Sequence, residues 1–337
     1  MFHRLAKPRP RFSVANQFGV RSIRQVARDL GLILHRIGTG EAPTLDLSTA
    51  GVFRPDLSLP AYGGLVPSDG VAPIYNLFDR TGGGKGFAGV VTRNRARDFR
   101  GGRLTYDEHD GSDYVCPPGT PLASAAPGVV VAIRDSFLRG GLTACVDHGG
   151  GLVTQYTHLA RMVAEVGRPL QRGDTVALSG SAGIDMISGF PWVPPHVHFM
   201  VWVHGQPVDP YRTAGEDVHG AGAFVHGNDP RTSAELAGDP KPLAFEDIGV
   251  DERSLDAAIA RCKDPRILRE LTETRALPTR LALFEDSRHH DRAAWPTEMP
   301  IGLGRPEGAP CAVKLTLPLP ASLYSSARFT DAPWTTP

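Results

Sequence analysis

The histidines of this chain are the side chains best suited to chemistry, and two of them stand one residue apart. His196 and His198 lie in the stretch PPHVHFMVW, which spans residues 194–202 and is otherwise largely apolar. In a β-strand, residues i and i+2 point to the same face. The spacing predicts two imidazoles in one cleft, with Val197 and Phe199 facing the core. A pair of surface histidines would show the same spacing.

Residues further upstream could complete a metal site. His109 and Asp113 stand four residues apart in HDGSD, with Gly111 between them, and both can chelate one ion. His158 follows a predicted strand in YTHL. A catalytic zinc site has three protein ligands and an open position for water, whose pKa the metal lowers to about 7. On this interpretation, one histidine of the later pair binds the metal and the other transfers protons.

The elements around these histidines are predicted to be short strands. Gly (38) and Pro (30) are both frequent, which indicates many turns. Apolar or β-branched stretches alternate with Gly, Asp and Pro in GTPLASAAPGVVVAIRDS, GLTACVDHGGGLVTQYTHL, DTVALSGSAG and HVHFMVWVHGQPVDP. This pattern favours a mainly β fold with an antiparallel sheet, arranged as a sandwich or barrel. DHGGG and VHGQP are typical of hairpin turns.

Three regions are predicted along the chain. Residues 1–75 form an N-terminal extension, in which VRSIRQVARDLGLILHR has the spacing of an amphipathic helix and residues 40–75 are a Pro- and Gly-rich loop. That helix is expected to pack on the main domain, the alternative being a membrane-surface element. Residues 76–213 form the β domain. Residues 214–337 are a linker and a C-terminal segment, with short helices over 251–276, capped at Asp251 and broken at Pro265, and a late strand over 311–319.

Composition excludes several classes of protein. The 36 basic and 36 acidic residues balance, which disfavours a nucleic-acid-binding role. We expect no transmembrane segment, because no apolar run approaches about 20 residues. The start MFHRLAKPRPRF is basic but lacks the apolar core of a secretory signal. None of the four cysteines forms a C-x-x-C pair, so a cysteine zinc site is not expected, and Cys145 is predicted to be a buried apolar residue.

The order of the motifs resembles one peptidase family. From Arg103 to Tyr211 the chain contains HDGSD, a GTP turn, the DHG hairpin, an RGD turn before a strand, PPHVHF and a closing VDP. This order is similar to that of the lysostaphin/LytM-type zinc metallopeptidases, the twenty-third metallopeptidase family. The resemblance implies the duplicated hybrid motif fold, a compact antiparallel β domain with a narrow substrate groove and N- and C-terminal extensions.

The resemblance also implies a set of roles. One zinc ion per chain would be held by His109, Asp113 and His198. His196 would be the general base, and His158 would polarise the water or stabilise the oxyanion. The substrate would be a peptidoglycan peptide, and the reaction would be hydrolysis of an amide bond.

Several nearby residues receive other interpretations. His148 and His204 lie in turn sequences and are expected to be structural. Tyr106 could reach the oxyanion, although packing in the groove wall is favoured. The segment IDMISGFPWVPP, residues 184–195, is longer than the corresponding link of the family and is expected to form a loop at the groove edge.

The first hypothesis is an active zinc endopeptidase, or a closely related amidase, that acts on peptidoglycan. Two rival hypotheses stand beside it. The chain could be a non-catalytic relative that binds peptidoglycan or regulates another hydrolase, although such relatives usually lose a ligand. It could instead be a cytoplasmic zinc hydrolase with a non-wall substrate. The family implies the cell envelope or periplasm, whereas no signal peptide is visible, so both locations stay open, as does the oligomeric state.

Overall fold

The fold is built on one large sheet. The structure is a computed structural model that describes residues 2–4, 12–38, 53–78, 91–93, 104–106, 109–137, 140–203, 206–211, 232, 238–245, 251–291, 294–296 and 313–329. The strands are β1 Phe2–Arg4, β2 Leu65–Pro67, β3 Val71–Asn76, β4 Val91–Arg93, β5 Leu104–Tyr106, β6 Ser112–Val115, β7 Pro121–Ala123, β8 Gly128–Ser136, β9 Gly141–Gly149, β10 Leu152–Met162, β11 Pro169–Leu170, β12 Thr175–Ser179, β13 His196–Val203, β14 Gln206–Val208 and β15 Ser326–Phe329. The helices are α1 Val14–Gln17, α2 Ile23–Gly38, α3 Pro55–Tyr62, α4 Ile184–Ser188, α5 Glu252–Ile259, α6 Pro265–Glu273 and α7 Leu277–His290.

Eleven strands form the main sheet, in the order β11-β8-β9-β10-β13-β6-β3-β15, with β12, β7 and β14 joined at its side. Every pairing in it is antiparallel except that of β15 with β3. The predicted mainly β, antiparallel fold is therefore confirmed. Gly149, Gly150 and Gly151 all have positive φ in the turn between β9 and β10, a conformation that glycine adopts without strain.

The two faces of β13 pack against different layers. Phe199 and Val201 lie in the larger buried cluster on one face. On the other face, Met200 and Trp202 pack in a cluster with Phe284 of α7. Because strand residues alternate between faces, the paired histidines share the face that α7 covers further along β13. The sheet surface around the histidines is therefore bounded on one side by the C-terminal helices.

The N-terminal region contains more regular structure than the sequence predicted. Residues 40–75 were expected to be loop, but Pro55–Tyr62 form α3, Leu65–Pro67 form β2 and Val71–Asn76 form β3. The prolines of this region had indicated a loop. However, α3 begins at Pro55, and proline is well suited to the first turn of a helix. β3 pairs with β6 inside the main sheet, so the predicted boundary at 75/76 falls within a strand. The part of the predicted loop from 40 to 52 lies outside the described residues.

The C-terminal region differs from the prediction in its strand and in one helix. α5 and α6 begin after Asp251 and Asp264, whose carboxylates accept hydrogen bonds from the first-turn N–H groups, and α7 is a third helix that was not predicted. The described part of the expected strand, residues 313–319, contains only a single bridge at Leu315, and the strand lies at Ser326–Phe329 instead. Pro318 cannot donate to a strand ladder, although the alternating leucines around it are buried.

The N-terminal helix α2 is anchored to the main sheet. Asp29 is buried, and its carboxylate accepts a hydrogen bond of 2.7 Å from the backbone N–H of Phe137. Arg21 forms an ion pair of 3.0 Å with Asp135 of β8. Among the described residues, no helix has both the length and the apolar character needed to cross a bilayer.

Candidate metal centre

Strand pairing brings the candidate residues to one place. In the register of β13, His198 stands opposite Asp113 of β6 and opposite Thr157 of β10. His196, two residues earlier in β13, lies on the same face and stands opposite Val115. His109 lies just before β6, where Gly111 leaves room for the ring of His198. A Cβ atom on Gly111 would lie 2.8 Å from Cε1 of that ring.

Three side chains converge with metal-ligand geometry. Nδ1 of His198 lies 2.9 Å from Oδ1 of Asp113, and Nε2 of His109 lies 3.2 Å from Oδ2 of the same carboxylate. The two ring nitrogens are 3.1 Å apart. One ligand atom from each of the three residues lies within 4.8 Å of the other two. Two imidazoles and a carboxylate are a donor set that suits zinc and leaves a coordination position for water.

Hydrogen bonds outside this cluster decide which ring nitrogens can bind a metal. Nδ1 of His109 lies 2.7 Å from the carbonyl oxygen of Leu77, which only accepts, so this nitrogen carries the hydrogen and Nε2 has the lone pair. Nε2 of His198 lies 3.2 Å from Oδ1 of Asp110, which leaves Nδ1 to face the cluster. Acceptors that bind the ring nitrogen facing away from the metal commonly set the orientation of metal-binding histidines. The residues present therefore fit a metal ion.

The electrostatics of the cluster favour positive charge at His198, which lies between Asp110 and Asp113. Burial disfavours the charged form of His198, but its bonds to Asp110 and Asp113 outweigh burial and raise its pKa to about 10. Burial alone would raise the pKa of Asp113, yet the neighbouring His109 and His196 hold it well below the usual range. Asp113 is thus an anion at neutral pH, and a bound metal would replace the proton of His198.

The other two histidines face the cluster from the side. Nδ1 of His196 lies 2.7 Å from the carbonyl oxygen of Pro194, so its Nε2 carries the lone pair and lies 3.5 Å from Oδ1 of Asp113. Burial lowers the pKa of His196 to about 4, which keeps the ring neutral at pH 7. The rings of His196 and His158 are 4.9 Å apart.

A bulge in β10 directs His158 toward the cluster. His158 has a φ of 62°, and the register of β10 against β9 shifts between Tyr156 and Leu159. Regular alternation would have placed this side chain on the core face with Tyr156, and bulges characteristically redirect side chains near functional sites. Nδ1 of His158 lies 2.8 Å from the carbonyl oxygen of Ala182, so Nε2 faces the cleft.

The segment around Ala182 is supported by the N-terminal region. The N–H of Ser181 donates to the carbonyl oxygen of Gln17 at 2.8 Å. Gly19 approaches so closely that a Cβ atom there would lie 2.9 Å from Cβ of Ala182. The N-terminal segment thus packs directly behind the acceptor of His158.

Sequence reasoning missed two carboxylates of the site. Asp110 lies within the HDGSD motif, but nothing in that pattern indicates that it faces His198 from the side opposite Asp113. Oδ2 of Asp185, in α4, lies 3.6 Å from Nε2 of His158. Both contacts depend on how separate segments meet, so the spacing of residues could not reveal them.

The long segment 184–195 combines α4 with a turn that contacts the N-terminal region. The ring of Phe190 packs edge-on against those of Phe18 and Tyr62, at centroid distances of 5.3 and 5.0 Å. The N–H of Arg54 donates to the carbonyl oxygen of Trp192 at 2.9 Å. Trp192 remains 47% exposed at the surface.

The remaining candidates are accounted for as follows. His148 is buried and lies 3.0 Å from the carbonyl oxygen of Pro127 and 2.7 Å from the hydroxyl of Thr154, away from the cluster. Cys145 is buried in the cluster beneath α7. His204 and the side chain of Tyr106 lie outside what the structure describes.

The region that carries this cluster matches a known protein family. Residues 107–210 match the model of peptidase family M23. The chain contains an M23 peptidase domain. This domain includes all five predicted site residues, and the recognition made from the motif order is confirmed.

Curated relatives match about a third of the chain. The chain is 34% identical over 101 residues to the peptidoglycan DD-endopeptidase ShyA of Vibrio cholerae, a match that covers 30% of this chain and 22% of ShyA. It is 30% identical over 110 residues to the DD-carboxypeptidase/endopeptidase Mpg of Neisseria meningitidis, covering 33% of this chain and 24% of Mpg. The chain thus spans about a quarter or less of the length of these relatives.

A comparison of structures also finds proteins of this family. One is a variant of the catalytic domain of the prophage-encoded M23 protein EnpA from Enterococcus faecalis, with 28% identity, 39% of this chain and 96% of that chain covered, and a TM-score of 0.30.

Proposed function

We propose that this protein is a zinc-dependent endopeptidase that hydrolyses amide bonds in peptidoglycan peptides. The observation that carries the proposal is the cluster of His109, Asp113 and His198 flanked by two further imidazoles, all within an M23 domain. The name of ShyA, a peptidoglycan DD-endopeptidase, supports peptidoglycan as the substrate class. The proposal also includes the domain division, in which residues 76–213 are the catalytic unit. Because β3 begins at Val71, the unit is extended to include that strand.

In this proposal, the ligand atoms are Nε2 of His109, a carboxylate oxygen of Asp113 and Nδ1 of His198. Zinc bound there would supply a Lewis acid for the scissile carbonyl and a water of lowered pKa. The hydrogen bonds to Leu77 and Asp110 keep the correct lone pairs directed inward. One zinc ion per chain is expected.

The proton is transferred by the flanking histidines. His196 is the general base, because its neutral Nε2 faces the cluster and accepts a proton from the attacking water. His158 presents Nε2 to the cleft from the other side, where it can contact the oxygen of the scissile carbonyl. As the C–O bond forms and the C–N bond breaks, an imidazole returns the proton to the leaving amine.

The shape of the site suits an extended peptide. The site lies on a sheet surface formed by β6, β13 and β10, bounded by α7 on one side and by α4 with its following turn on the other. In this proposal, an extended chain with small side chains lies along that surface, with its backbone amides beside the position that zinc would occupy.

Digestion of purified peptidoglycan, with products identified by mass, tests the proposal. We expect release of peptides that a zinc chelator abolishes and added zinc restores. His198→Ala should lose both metal and activity, whereas His158→Ala should keep the metal and lose activity. Full zinc content without any peptide release would support a hydrolase with a non-wall substrate. Poor metal binding with retained affinity for sacculi would support a non-catalytic relative.

A further inference from the structure

Helix α2 presents an unpartnered apolar stripe. Ile23, Leu30 and Leu34 are 89%, 42% and 68% exposed, and Ala27 between them is also exposed. These positions follow the i, i+4, i+7, i+11 spacing of a single helix face. Large aliphatic side chains that line up on one exposed face of a helix indicate a surface that binds an apolar partner.

The helix that carries the stripe is fixed to the main sheet. Asp29, on the side of α2 that faces the sheet, is 1% exposed and accepts a hydrogen bond from the N–H of Phe137. Gln25 contacts the carboxylate of Asp135 at 3.2 Å. The helix is therefore fixed to the sheet along one side, and the stripe faces away from those contacts.

Positive charge accompanies the stripe. Residues 1–38 contain eight Lys and Arg residues and one acidic residue, Asp29, whereas the whole chain is balanced. Arg24 is exposed and flanks the stripe by its helical position, and Arg28, whose side chain is 63% exposed, forms an ion pair of 3.0 Å with Asp29. A second copy of the chain would bring the same positive charge to a contact between two such stripes, which disfavours that occupant.

We propose that α2 is an interfacial helix that docks the protein on an anionic lipid bilayer. An amphipathic helix with an aliphatic face, a basic flank and low overall hydrophobicity lies in the membrane interface, where its arginines contact anionic headgroups. Arg21, in the turn before α2, donates at 2.9 Å to the carbonyl oxygen of Ala160, two residues after His158. Docking would therefore place the His158 side of the cleft beside the membrane.

Flotation of the full chain with vesicles tests this proposal. We expect binding to phosphatidylcholine vesicles that contain phosphatidylglycerol, weakening as salt is raised, and little binding to phosphatidylcholine alone. The double variant Ile23→Glu, Leu34→Glu should bind at least about tenfold more weakly, because two acidic side chains would enter the apolar layer. The double variant Arg24→Gln, Arg28→Gln should lose about tenfold and part of the salt dependence.

Val163→Glu is the matched control, since Val163 is a 40% exposed apolar residue outside α2, and it should bind as the unmodified chain does. Equal binding by the Glu variant of the stripe, or equal binding to neutral and anionic vesicles, would overturn the proposal. So would self-association that the same Glu variant abolishes. An Ile23→Trp variant gives a second measurement that does not require acidic residues, because its fluorescence should shift to the blue on adding anionic vesicles, and an unchanged spectrum would contradict docking.

Discussion

Nε2 of His198 lies 3.2 Å from Oδ1 of Asp110, on the opposite side of the ring from Asp113. Asp110 therefore holds the ring so that Nδ1 points into the cluster, and it adds negative charge behind a proposed metal ligand. A carboxylate in this position raises the basicity of a metal-binding imidazole and limits its rotation.

Replacing Asp110 should weaken metal binding without unfolding the protein. We expect Asp110→Ala to reduce zinc affinity by about 10- to 100-fold, and Asp110→Asn to have a smaller effect because its amide oxygen still accepts a hydrogen bond. Competition against a chromophoric chelator measures the affinity. Asp185→Asn is the control, since Asp185 contacts His158 rather than a proposed ligand. An unchanged affinity in Asp110→Ala would show that His198 is positioned by other contacts.

Gly111 should tolerate no side chain. Its added Cβ atom would lie 2.7 Å from the carbonyl oxygen of Phe199 and 2.8 Å from Cε1 of His198. Gly111→Ala should therefore displace the His198 ring and lower the bound zinc per folded chain, measured by metal analysis of the monodisperse fraction. Gly128→Ala, which crowds His148 instead, should lower the melting temperature and leave the zinc content unchanged. Equal zinc content in both variants would contradict the assignment of His198 as a ligand.

The N-terminal segment should affect catalysis through His158. Gly19 has a φ of 73° and contacts Ala182, whose carbonyl oxygen accepts the hydrogen bond from His158. Gly19→Ala should shift this acceptor and reduce kcat, with zinc content unchanged, since an alanine in this conformation costs about 1–2 kcal/mol.

Steady-state kinetics on a peptidoglycan peptide, together with metal analysis, measures both quantities. Gly31→Ala is the matched control, because Gly31 lies inside α2 with no atom within 4 Å of its added Cβ. That substitution should raise stability by up to about 1 kcal/mol and leave kcat unchanged. Equal kcat in the two variants would mean that the segment does not position His158.

Asp286 should make the fold less stable as pH rises. Burial raises the pKa of this α7 carboxyl to about 7, against the opposing charge of Arg134. Because the folded state binds this proton more tightly than the unfolded chain, the stabilisation is complete below the unfolded pKa of 3.8 and is lost as pH rises through about 7. The loss across that window is roughly 4 kcal/mol, at about 1.4 kcal/mol per pH unit.

Urea denaturation at about pH 5 and about pH 8 measures this slope. His196 and His198 also contribute to the pH dependence of stability in this range, but they do so in both proteins, so the comparison is between variants. Asp286→Asn should gain stability relative to the unmodified chain between the two pH values, because it lacks the proton that the folded chain loses. Glu273→Gln, at an exposed position in α6, should show no such gain. An equal difference between Asp286→Asn and the unmodified chain at both pH values would contradict the prediction.

Several features of this protein follow from local sequence alone. The hairpin between β9 and β10 requires consecutive residues at positive φ. Three consecutive glycines, which adopt that conformation without strain, predict such a turn. Asp251 and Pro265 mark helix starts through their own hydrogen bonding and fixed φ. The i, i+2 spacing of His196 and His198 is enough to put both on one strand face. The order of motifs identified the family.

Other features were decided by contacts between distant segments. His158 reaches the cluster only because a bulge interrupts the alternation of β10, and a bulge arises from how neighbouring strands pair. Asp110 contacts His198, and Asp185 contacts His158, although each pair is far apart in the sequence and no local pattern indicates the contact. Residues 71–76 and 326–329 are in the main sheet because β3 pairs with β6 and β15 pairs with β3, and this pairing outweighed weak local propensity. A composition rich in Pro and Gly therefore misled the prediction for residues 71–75.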